Sequence, residues 1–260
     1  MTTSQREVYE TIRLDKKDKV ATLTFDRMEK KNAANRTMLD EFSKAMISLR
    51  DDKDIRVVVL TGQDNVFCAG MDVEGLDFKS PALGIDWMKA DVETFKQVET
   101  IPKVVIAAVN GLSFGFGAGI ILSCDIVYAS DQAKFGLREI HWGLAPADMI
   151  RRGMELMGKR DIAYLSITGD DVDAHEAKAM GWINKVIPHD QLMDEVYALA
   201  NRLSEGPPVA YEVIKRMLNR KCYEDFDSYI EIIAALFATE DAAEARKAFL
   251  EKRKPVFTGR

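Results

Sequence analysis

A strand followed by a glycine-rich turn and a short apolar helix is the pattern in this sequence with the clearest chemical meaning. Residues 104–109 are apolar, and a second apolar run ends near Asp125. Between them lie Gly115, Gly117 and Gly119. A strand-turn-helix of this kind leaves backbone N–H groups unpaired at a helix N-terminus, and glycine lets a ligand approach the backbone closely. The pattern therefore predicts an anion or oxyanion site made of main-chain atoms.

Three uses of such a turn have to be weighed. No Gly-Lys-Ser/Thr sequence follows it, which argues against a P-loop for nucleotide phosphates. The pair Gly115 and Gly117 lacks the spacing and position of a dinucleotide-binding fingerprint. The glycines could also serve close helix packing only, which leaves packing and an oxyanion site as the main alternatives.

A second loop favours the oxyanion site. Residues 67–72 read Phe-Cys-Ala-Gly-Met-Asp and follow a buried strand and a turn. Two loops that each supply one backbone N–H can converge on a single thioester carbonyl oxygen.

These loops need a framework, and the hydrophobic patterning predicts an α/β core. Helical spacing of apolar residues predicts helices over 37–49 and 85–100, and Pro102 stops the second. Strand patterns that alternate with helices indicate βαβ units. The predicted strands cover residues 20–25, 55–60, 104–108 and 126–129. Beyond residue 150 the pattern is helical, with candidates over 154–157, 162–167, 174–180, 192–203, 209–218 and 228–237. Asp173 and Glu176 form a capping-box pattern.

The composition and the charge of the chain exclude several classes of protein. The chain has 260 residues, 47% hydrophobic residues and a formal net charge of −6. The mild acidic balance argues against nucleic-acid binding. The three cysteines are far apart, which indicates neither a disulfide framework nor a metal site. The polar N-terminus lacks a signal-peptide core, and no apolar run reaches the length of a membrane span. We expect a soluble, cytoplasmic protein that binds no metal, no nucleic acid and no membrane.

Taken together, these motifs resemble the crotonase, or enoyl-CoA hydratase/isomerase, superfamily. The resemblance rests on residues 67–72, 107–119 and 124–126 and on the tail 249–257, and it extends from Asn32 to that tail. It implies a crotonase-like spiral of ββα/βαβ units with a helical C-terminal trimerisation region. We place the α/β core at residues 1–195 and the helical region at 196–260.

The resemblance also implies how the site works. The oxyanion hole would use the N–H groups of Met71 and of Phe116, which replaces the middle glycine of the family's glycine run. Hydratases of this family hold a water between two glutamates. Glu139 matches the second of these, whereas Gly119 stands where the first should be. Proton transfer would therefore fall to Glu139 alone.

Two subfamilies tolerate a noncarboxylate at the first position. One is the Δ3,Δ2-enoyl-CoA isomerases, which need a single base to shuttle a proton. The other is the hydroxycinnamoyl-CoA (feruloyl-CoA) hydratase-lyases, to which residues 135–146 are similar. The lyases use two tyrosines at the phenolic ring, and here Phe78 and Tyr229 are the nearest matches. Hydration of a 2-enoyl-CoA is our first expectation, with or without later carbon–carbon cleavage.

Further residues are implied for the substrate. No cofactor is expected besides the coenzyme A of an acyl-CoA substrate. Lys30 and Ala33 would lie near pantetheine and adenine, and Phe249 and Lys252 would contact adenine and phosphate, from the same or a neighbouring subunit of a homotrimer or hexamer. The predicted substrate and CoA contacts are Lys30, Ala33, Ala69, Asp72, Val73, Leu144, Phe249 and Lys252.

Four other interpretations remain. A dehalogenase would need a nucleophilic aspartate, but Ala147 takes its place. His141 as a general base and Cys68 as a nucleophile are weaker than packing roles for both. The alternative of another class is a noncatalytic acyl-CoA-binding scaffold that lost activity with the carboxylate at Gly119.

Overall fold

The computed structural model describes residues 5–72, 74, 81–219 and 239–260. In this part of the chain, eleven strands form two sheets. The strands are β1 (Gln5–Val8), β2 (Ile12–Lys17), β3 (Val20–Phe25), β4 (Val57–Gly62), β5 (Val66–Cys68), β6 (Val104–Val109), β7 (Leu112–Phe114), β8 (Ile126–Ser130), β9 (Lys134–Gly136), β10 (Val172–Asp173) and β11 (Lys185–Ile187).

The larger sheet has the order β1-β2-β3-β4-β6-β8-β11 and is parallel from β3 onward. Every residue of β3 and β4 is buried, as expected for central strands of a sheet that is covered on both faces. The smaller sheet has the order β10-β9-β7-β5. Its parallel pairings place the ends of β5, β7 and β9 side by side, and the loops that follow these strands carry the predicted site.

Nine α-helices lie in the described residues. They are α1 (Arg36–Asp51), α2 (Pro81–Thr100), α3 (Phe116–Ser123), α4 (Ala147–Leu156), α5 (Lys159–Thr168), α6 (Ala174–Ala179), α7 (Leu192–Ser204), α8 (Pro208–Asn219) and α9 (Glu240–Leu250). Asp173 and Glu176 form the predicted capping box of α6. Short 3₁₀ helices, among them Arg138–Trp142, complete the chain.

The two sheets and the helices build a spiral. A strand of the large sheet is followed by a strand of the small sheet and then by a helix, as in β4-β5-α2 and β6-β7-α3. This ββα repeat confirms the predicted fold class. The three-residue strands of the small sheet were not predicted, because such short segments carry no periodicity to detect.

The longer predicted elements are confirmed within a few residues. α2 begins at Pro81, four residues before the predicted start, and ends at Thr100, just before Pro102. α7 crosses the predicted domain boundary at 195/196 and packs against β4 and β6 of the large sheet, and the boundary itself stays a prediction. The helix predicted over 228–237 lies outside the described residues, as do Phe78 and Tyr229.

Candidate active site

The two predicted loops meet at a pair of glycines. Gly70 follows β5 with a φ of 114°, and Gly115 follows β7 with a φ of 49°. Side-chain-bearing residues rarely adopt these conformations. A Cβ atom on Gly115 would lie 3.5 Å from the Cα atom of Gly70. Two turns from separate loops therefore lie side by side, and each turn is followed by one of the two predicted N–H donors.

The first donor is Met71. Ala34 donates a hydrogen bond to the Gly70 carbonyl at 2.8 Å, and its own carbonyl accepts one from the Asp72 N–H at 2.8 Å. In a bridge of this pattern, the N–H of the intervening residue points to the opposite side. The Met71 N–H therefore points away from Ala34, and no described group accepts a hydrogen bond from it.

The second donor is Phe116, the first residue of α3. The N–H groups of the first helical turn have no partner inside the helix, and the helix dipole makes this end partly positive. The left-handed conformation falls on Gly115 and not on Phe116, so a bulky residue is tolerated here. The Phe116 side chain is 1% exposed and its ring stacks on that of Phe95, with centroids 5.5 Å apart.

Glu139 reaches the same place from the small sheet. It lies in the 3₁₀ helix Arg138–Trp142, which follows β9. Its Oε1 atom is 3.2 Å from the position that a Cβ atom on Gly115 would occupy. Its Oε2 atom is buried and has no hydrogen-bond partner among the residues that the structure describes. Burial raises the pKa of the carboxyl above its usual range, as a proton-transferring group requires.

Two contacts hold this 3₁₀ helix in position. Arg138 forms a two-pronged ion pair with Asp171, in which Nε donates to Oδ1 at 2.7 Å. The Glu139 carbonyl accepts a hydrogen bond from the N–H of Leu144 at 3.1 Å, so that predicted substrate contact lies one turn from the carboxylate.

The space where a first glutamate was expected is filled by an aromatic ring. A Cβ atom on Gly119 would overlap the tip of Phe95, at 2.7 Å from Cε1 and 2.9 Å from Cε2. Phe95 comes from α2 and is fully buried. Gly119 is therefore a packing glycine, and it lets α2 come close to α3.

α2 also carries a carboxylate that the sequence reading missed. Asp91 lies one turn before Phe95 and is 5% exposed, and no described residue forms a hydrogen bond with its Oδ1 atom. Burial raises its pKa to about 7, with further contributions from the charges of Asp148 and Glu139. One signal could have found it: Asp91 has helical spacing with the buried Phe95 and Val98, so it lies on the apolar face of α2.

Several predicted CoA residues cluster beside the first turn. Lys30 pairs with Glu74 at 2.7 Å. The Arg27 guanidinium donates to the Ala33 carbonyl at 3.0 Å and to the Asp72 carboxylate at 2.7 Å. Burial raises the pKa of Asp72, but the hydrogen bonds from Arg27 and from the Glu74 N–H, together with the charges of Arg27 and Lys30, lower it overall. Arg27 thus links two predicted contacts, and it was not itself predicted.

The remaining predicted contacts are distributed differently. Ala69 donates its N–H to the Lys31 carbonyl at 3.1 Å and so adjoins the same cluster. Val73 and the side chain of Phe249 lie outside what the structure describes. The tail containing Lys252 runs to Phe257, whose carbonyl accepts a hydrogen bond from Arg56 at 3.3 Å, beside the start of β4. The candidate site lies in the loops that follow β5, β7 and β9, whereas Arg56 precedes the start of β4. No described contact joins Lys252 to the candidate site.

Cys68 and His141, the other two candidate side chains, have surroundings that fit packing roles. Burial raises the pKa of the Cys68 thiol to about 12, so it stays protonated and unreactive at neutral pH. His141 lies 3.2 Å from the Gly169 carbonyl. Among the described residues, no group of three or more His, Cys, Asp or Glu could hold a metal ion. No helix in the same part of the chain has the length and hydropathy to cross a membrane.

Comparison with known proteins identifies the family and the fold of this chain. The family model for enoyl-CoA hydratase/isomerase matches residues 15–260. A short-chain-enoyl-CoA hydratase of Clostridium acetobutylicum is 34% identical, over 93% of this chain and 95% of its own. A crotonyl-CoA hydratase of Syntrophomonas wolfei is 33% identical, over 96% and 98%. The crystal structure of an enoyl-CoA hydratase from Bacillus anthracis superposes with a TM-score of 0.90 at 26% identity, over 96% of this chain and 100% of that one. The chain belongs to the enoyl-CoA hydratase/isomerase family.

Proposed function

We propose that this protein adds water across the double bond of a 2-enoyl-CoA, with Glu139 as the base that activates the water. The observation that carries this is the position of the Glu139 carboxylate beside Gly115, where the turns that precede Met71 and Phe116 meet. A carboxylate and two free backbone donors at one point are what enolate chemistry on a thioester needs.

The chemistry follows from that arrangement. The thioester carbonyl oxygen accepts hydrogen bonds from the N–H groups of Met71 and Phe116. Glu139 takes a proton from water, the water oxygen bonds to the β-carbon, and the double-bond electrons move onto the carbonyl oxygen. The two N–H groups stabilise this oxyanion, and a single such donor contributes on the order of a hundredfold or more in rate. Protonation of the α-carbon completes the 3-hydroxyacyl-CoA.

The cluster around Arg27 supports an acyl-CoA as the ligand. Lys30 lies at the rim of the first turn, 38% exposed, and would bind a phosphate as a point charge by exchanging its exposed partner Glu74. Ala33 and Asp72 are held next to it by Arg27. We assign these residues to the CoA arm. The reaction needs no cofactor besides the CoA that the substrate carries.

A panel of three thioesters tests the reaction class. Crotonyl-CoA, a 3-enoyl-CoA and feruloyl-CoA are each incubated with the protein, and thioester absorbance is followed. The names of two relatives, a short-chain-enoyl-CoA and a crotonyl-CoA hydratase, favour crotonyl-CoA. Turnover of the 3-enoyl-CoA alone would indicate an isomerase, and cleavage of feruloyl-CoA a hydratase-lyase. Binding without turnover of any thioester would leave a noncatalytic scaffold.

A single substitution tests the role of Glu139. Glu139→Gln keeps the shape of the side chain and removes the base, so we expect kcat for crotonyl-CoA to fall by about 10²–10⁴-fold. Glu155→Gln changes an exposed carboxylate on α4 and serves as the matched control. Full activity of the Glu139 variant would show that the mechanism is wrong.

We also infer that the chain self-associates as a homotrimer or hexamer and works in the cytoplasm. Ile214 and Leu218 lie one turn apart on α8 with exposed fractions of 51% and 72%. Apolar residues exposed at helical spacing are typical of a surface that a partner covers. Light scattering on the purified protein measures the assembly, and a monomer would contradict this inference.

A further inference from the structure

We propose that Asp91 is the second acid/base carboxylate of this site and replaces the one that Gly119 cannot provide. Asp91 would hold a proton near the α-carbon of the bound thioester, while Glu139 activates the water. This inference rests on the hydratase function proposed above and names one further catalytic residue for it.

The packing of α2 on α3 brings Asp91 to the site. Phe95 enters the space beside Gly119 and stacks on Phe116, the residue that supplies one oxyanion donor. Asp91 is one helical turn before Phe95 and lies on the same face of α2. Asp91 therefore lies about one turn of α2 from the ring that contacts both Gly119 and Phe116, and α3 begins at Phe116, directly after Gly115, which lies next to Glu139.

The charges that act on Asp91 come from the candidate site and from α4. The charges of Asp148 on α4 and of Glu139 on the 3₁₀ helix raise its pKa, and the charge of Arg152 on α4 lowers it. Cys68, two residues before Gly70, also lies within range of the Asp91 charge. Asp91 is thus within electrostatic range of Cys68 at the end of β5, of Glu139 and of α4.

Among the described residues, no cation forms an ion pair with Asp91. The Arg152 charge acts on Asp91, but its guanidinium is paired with Asp148, with an Nε to Oδ2 distance of 2.7 Å, and with Glu99. Asp91 Oδ1 is buried and has no hydrogen-bond partner in the described part of the chain. A buried carboxyl without a partner is costly to a fold, and such groups are commonly kept for chemistry.

The two carboxyls differ in their tendency to ionise. Asp91 is the more deeply buried, and the charge of Glu139 further opposes its ionisation, so its pKa rises to about 7. Near neutral pH the site can then hold one ionised and one protonated carboxyl. Pairs whose environments separate their pKa values in this way are typical of acid and base partners in enzymes.

The proposed step balances in protons and electrons. The Glu139 carboxylate takes one proton from water, the oxygen forms a bond to the β-carbon, and the π electrons become the enolate. The enolate then takes the proton of the Asp91 carboxyl at the α-carbon, which leaves Asp91 ionised and Glu139 protonated. Transfer of that proton from Glu139 to Asp91 restores the starting state, so the net change is the addition of one water.

The test compares Asp91→Asn with Glu93→Gln, an exposed carboxylate two residues further along α2. Initial rates on crotonyl-CoA are measured from pH 5.5 to 9 for both variants and the unaltered protein, together with unfolding in urea at pH 8. We expect Asp91→Asn to lower kcat by about 100-fold or more with KM changed less than threefold. The decrease of kcat above about pH 7, which the unaltered protein should show, should be absent in this variant.

The stability measurement separates a catalytic from a structural role. Replacing an unpartnered buried carboxyl by a neutral amide should leave the urea midpoint at pH 8 equal or higher, even though kcat falls. Asp91→Glu, which restores a carboxyl, should recover part of the rate. Loss of stability together with rate, without recovery by glutamate, would assign Asp91 to packing and overturn the proposal.

Two further outcomes distinguish this inference from the proposed function. If the unaltered protein hydrates crotonyl-CoA and Asp91→Asn does so at a similar rate, Asp91 has no catalytic role and the hydratase function stands. If the unaltered protein hydrates none of the thioesters while Glu93→Gln is equally inert, the proposed function fails and this inference fails with it.

Discussion

Substitution of Gly119 by alanine should destabilise the protein, although alanine is ordinarily the better helix former. In an exposed helix, Gly→Ala stabilises by about 0.5–1 kcal/mol. Here the added methyl group would overlap the ring of Phe95, at 2.7 Å from Cε1. The ring is fully buried and stacked on Phe116, so it has little room to withdraw. Overpacking of this kind costs about 1–3 kcal/mol, and the net change should be a loss.

A double-mutant cycle isolates this contact. Phe95→Leu removes the ring tip and should itself destabilise, because it opens a cavity beside Gly119. In that background the same Gly119→Ala change should be neutral or stabilising, which gives a favourable coupling of at least about 1 kcal/mol. The Phe95→Leu background is therefore the matched control for the glycine substitution.

Urea unfolding of the four proteins at pH 7 measures the cycle. A Gly119→Ala variant as stable as the unaltered protein, with additive effects in the cycle, would refute the close approach of α2 and α3. Rates on crotonyl-CoA add a second readout. If Phe95 positions α2, then Gly119→Ala should also lower kcat, because the displaced helix carries Asp91 away from Glu139.

Two further predictions concern buried charges. The pKa of Asp91 in the folded protein, about 7, lies above its ordinary value of 3.8, so ionisation of this carboxyl opposes folding. Below about pH 4 the carboxyl is protonated in both the folded and the unfolded state and does not lower the free energy of unfolding. As the pH rises from about 4 through 7, the free energy of unfolding falls by up to about 4 kcal/mol. The difference in urea stability between Asp91→Asn and the unaltered protein should therefore grow with pH, and a constant difference would contradict the assigned pKa. Lys215 pairs with Asp125 at 2.7 Å, and both groups are largely buried. Lys215→Met should cost about 3–5 kcal/mol because it leaves a buried carboxylate uncompensated, whereas the double variant with Asp125→Asn should recover much of that loss in thermal unfolding.

The long elements were predictable because their signals are local. β6 is a continuous apolar run, β4 is apolar over its first four residues, β3 alternates, and α1 and α2 show regular helical spacing. The three-residue strands of the small sheet show no pattern of their own, since they form only when neighbouring strands supply their hydrogen bonds. The sequence therefore indicated a glycine-rich turn after β6, but not the short strand β7 that positions this turn.

The residues of the candidate site likewise fall into those with a local sequence signal and those without one. Met71, Phe116 and Glu139 were predicted through motifs in which a few adjacent residues carry the whole signal. The structure places Glu139 beside Gly115, where the turns that precede Met71 and Phe116 meet, and their catalytic roles stay predictions. Arg27 was missed because it belongs to no motif, although it lies only three residues before Lys30, and Asp91 was missed because α2 is distant in sequence from the loops that carry the motifs. Asp91 could be recognised only by asking why a carboxylate lies on the buried face of a helix.

Gly119 and Asp91 are connected through Phe95. A side chain at residue 119 would need the space that the Phe95 ring now fills, so α2 can approach α3 only because that residue is glycine. The same approach brings Asp91 within range of the Glu139 charge. Loss of a carboxylate from α3 and gain of one from α2 are then two consequences of a single packing change. On this view the glycine at residue 119 does not mark a site that has lost half of its acid/base machinery, because the helix that occupies the vacated space supplies a carboxyl of its own.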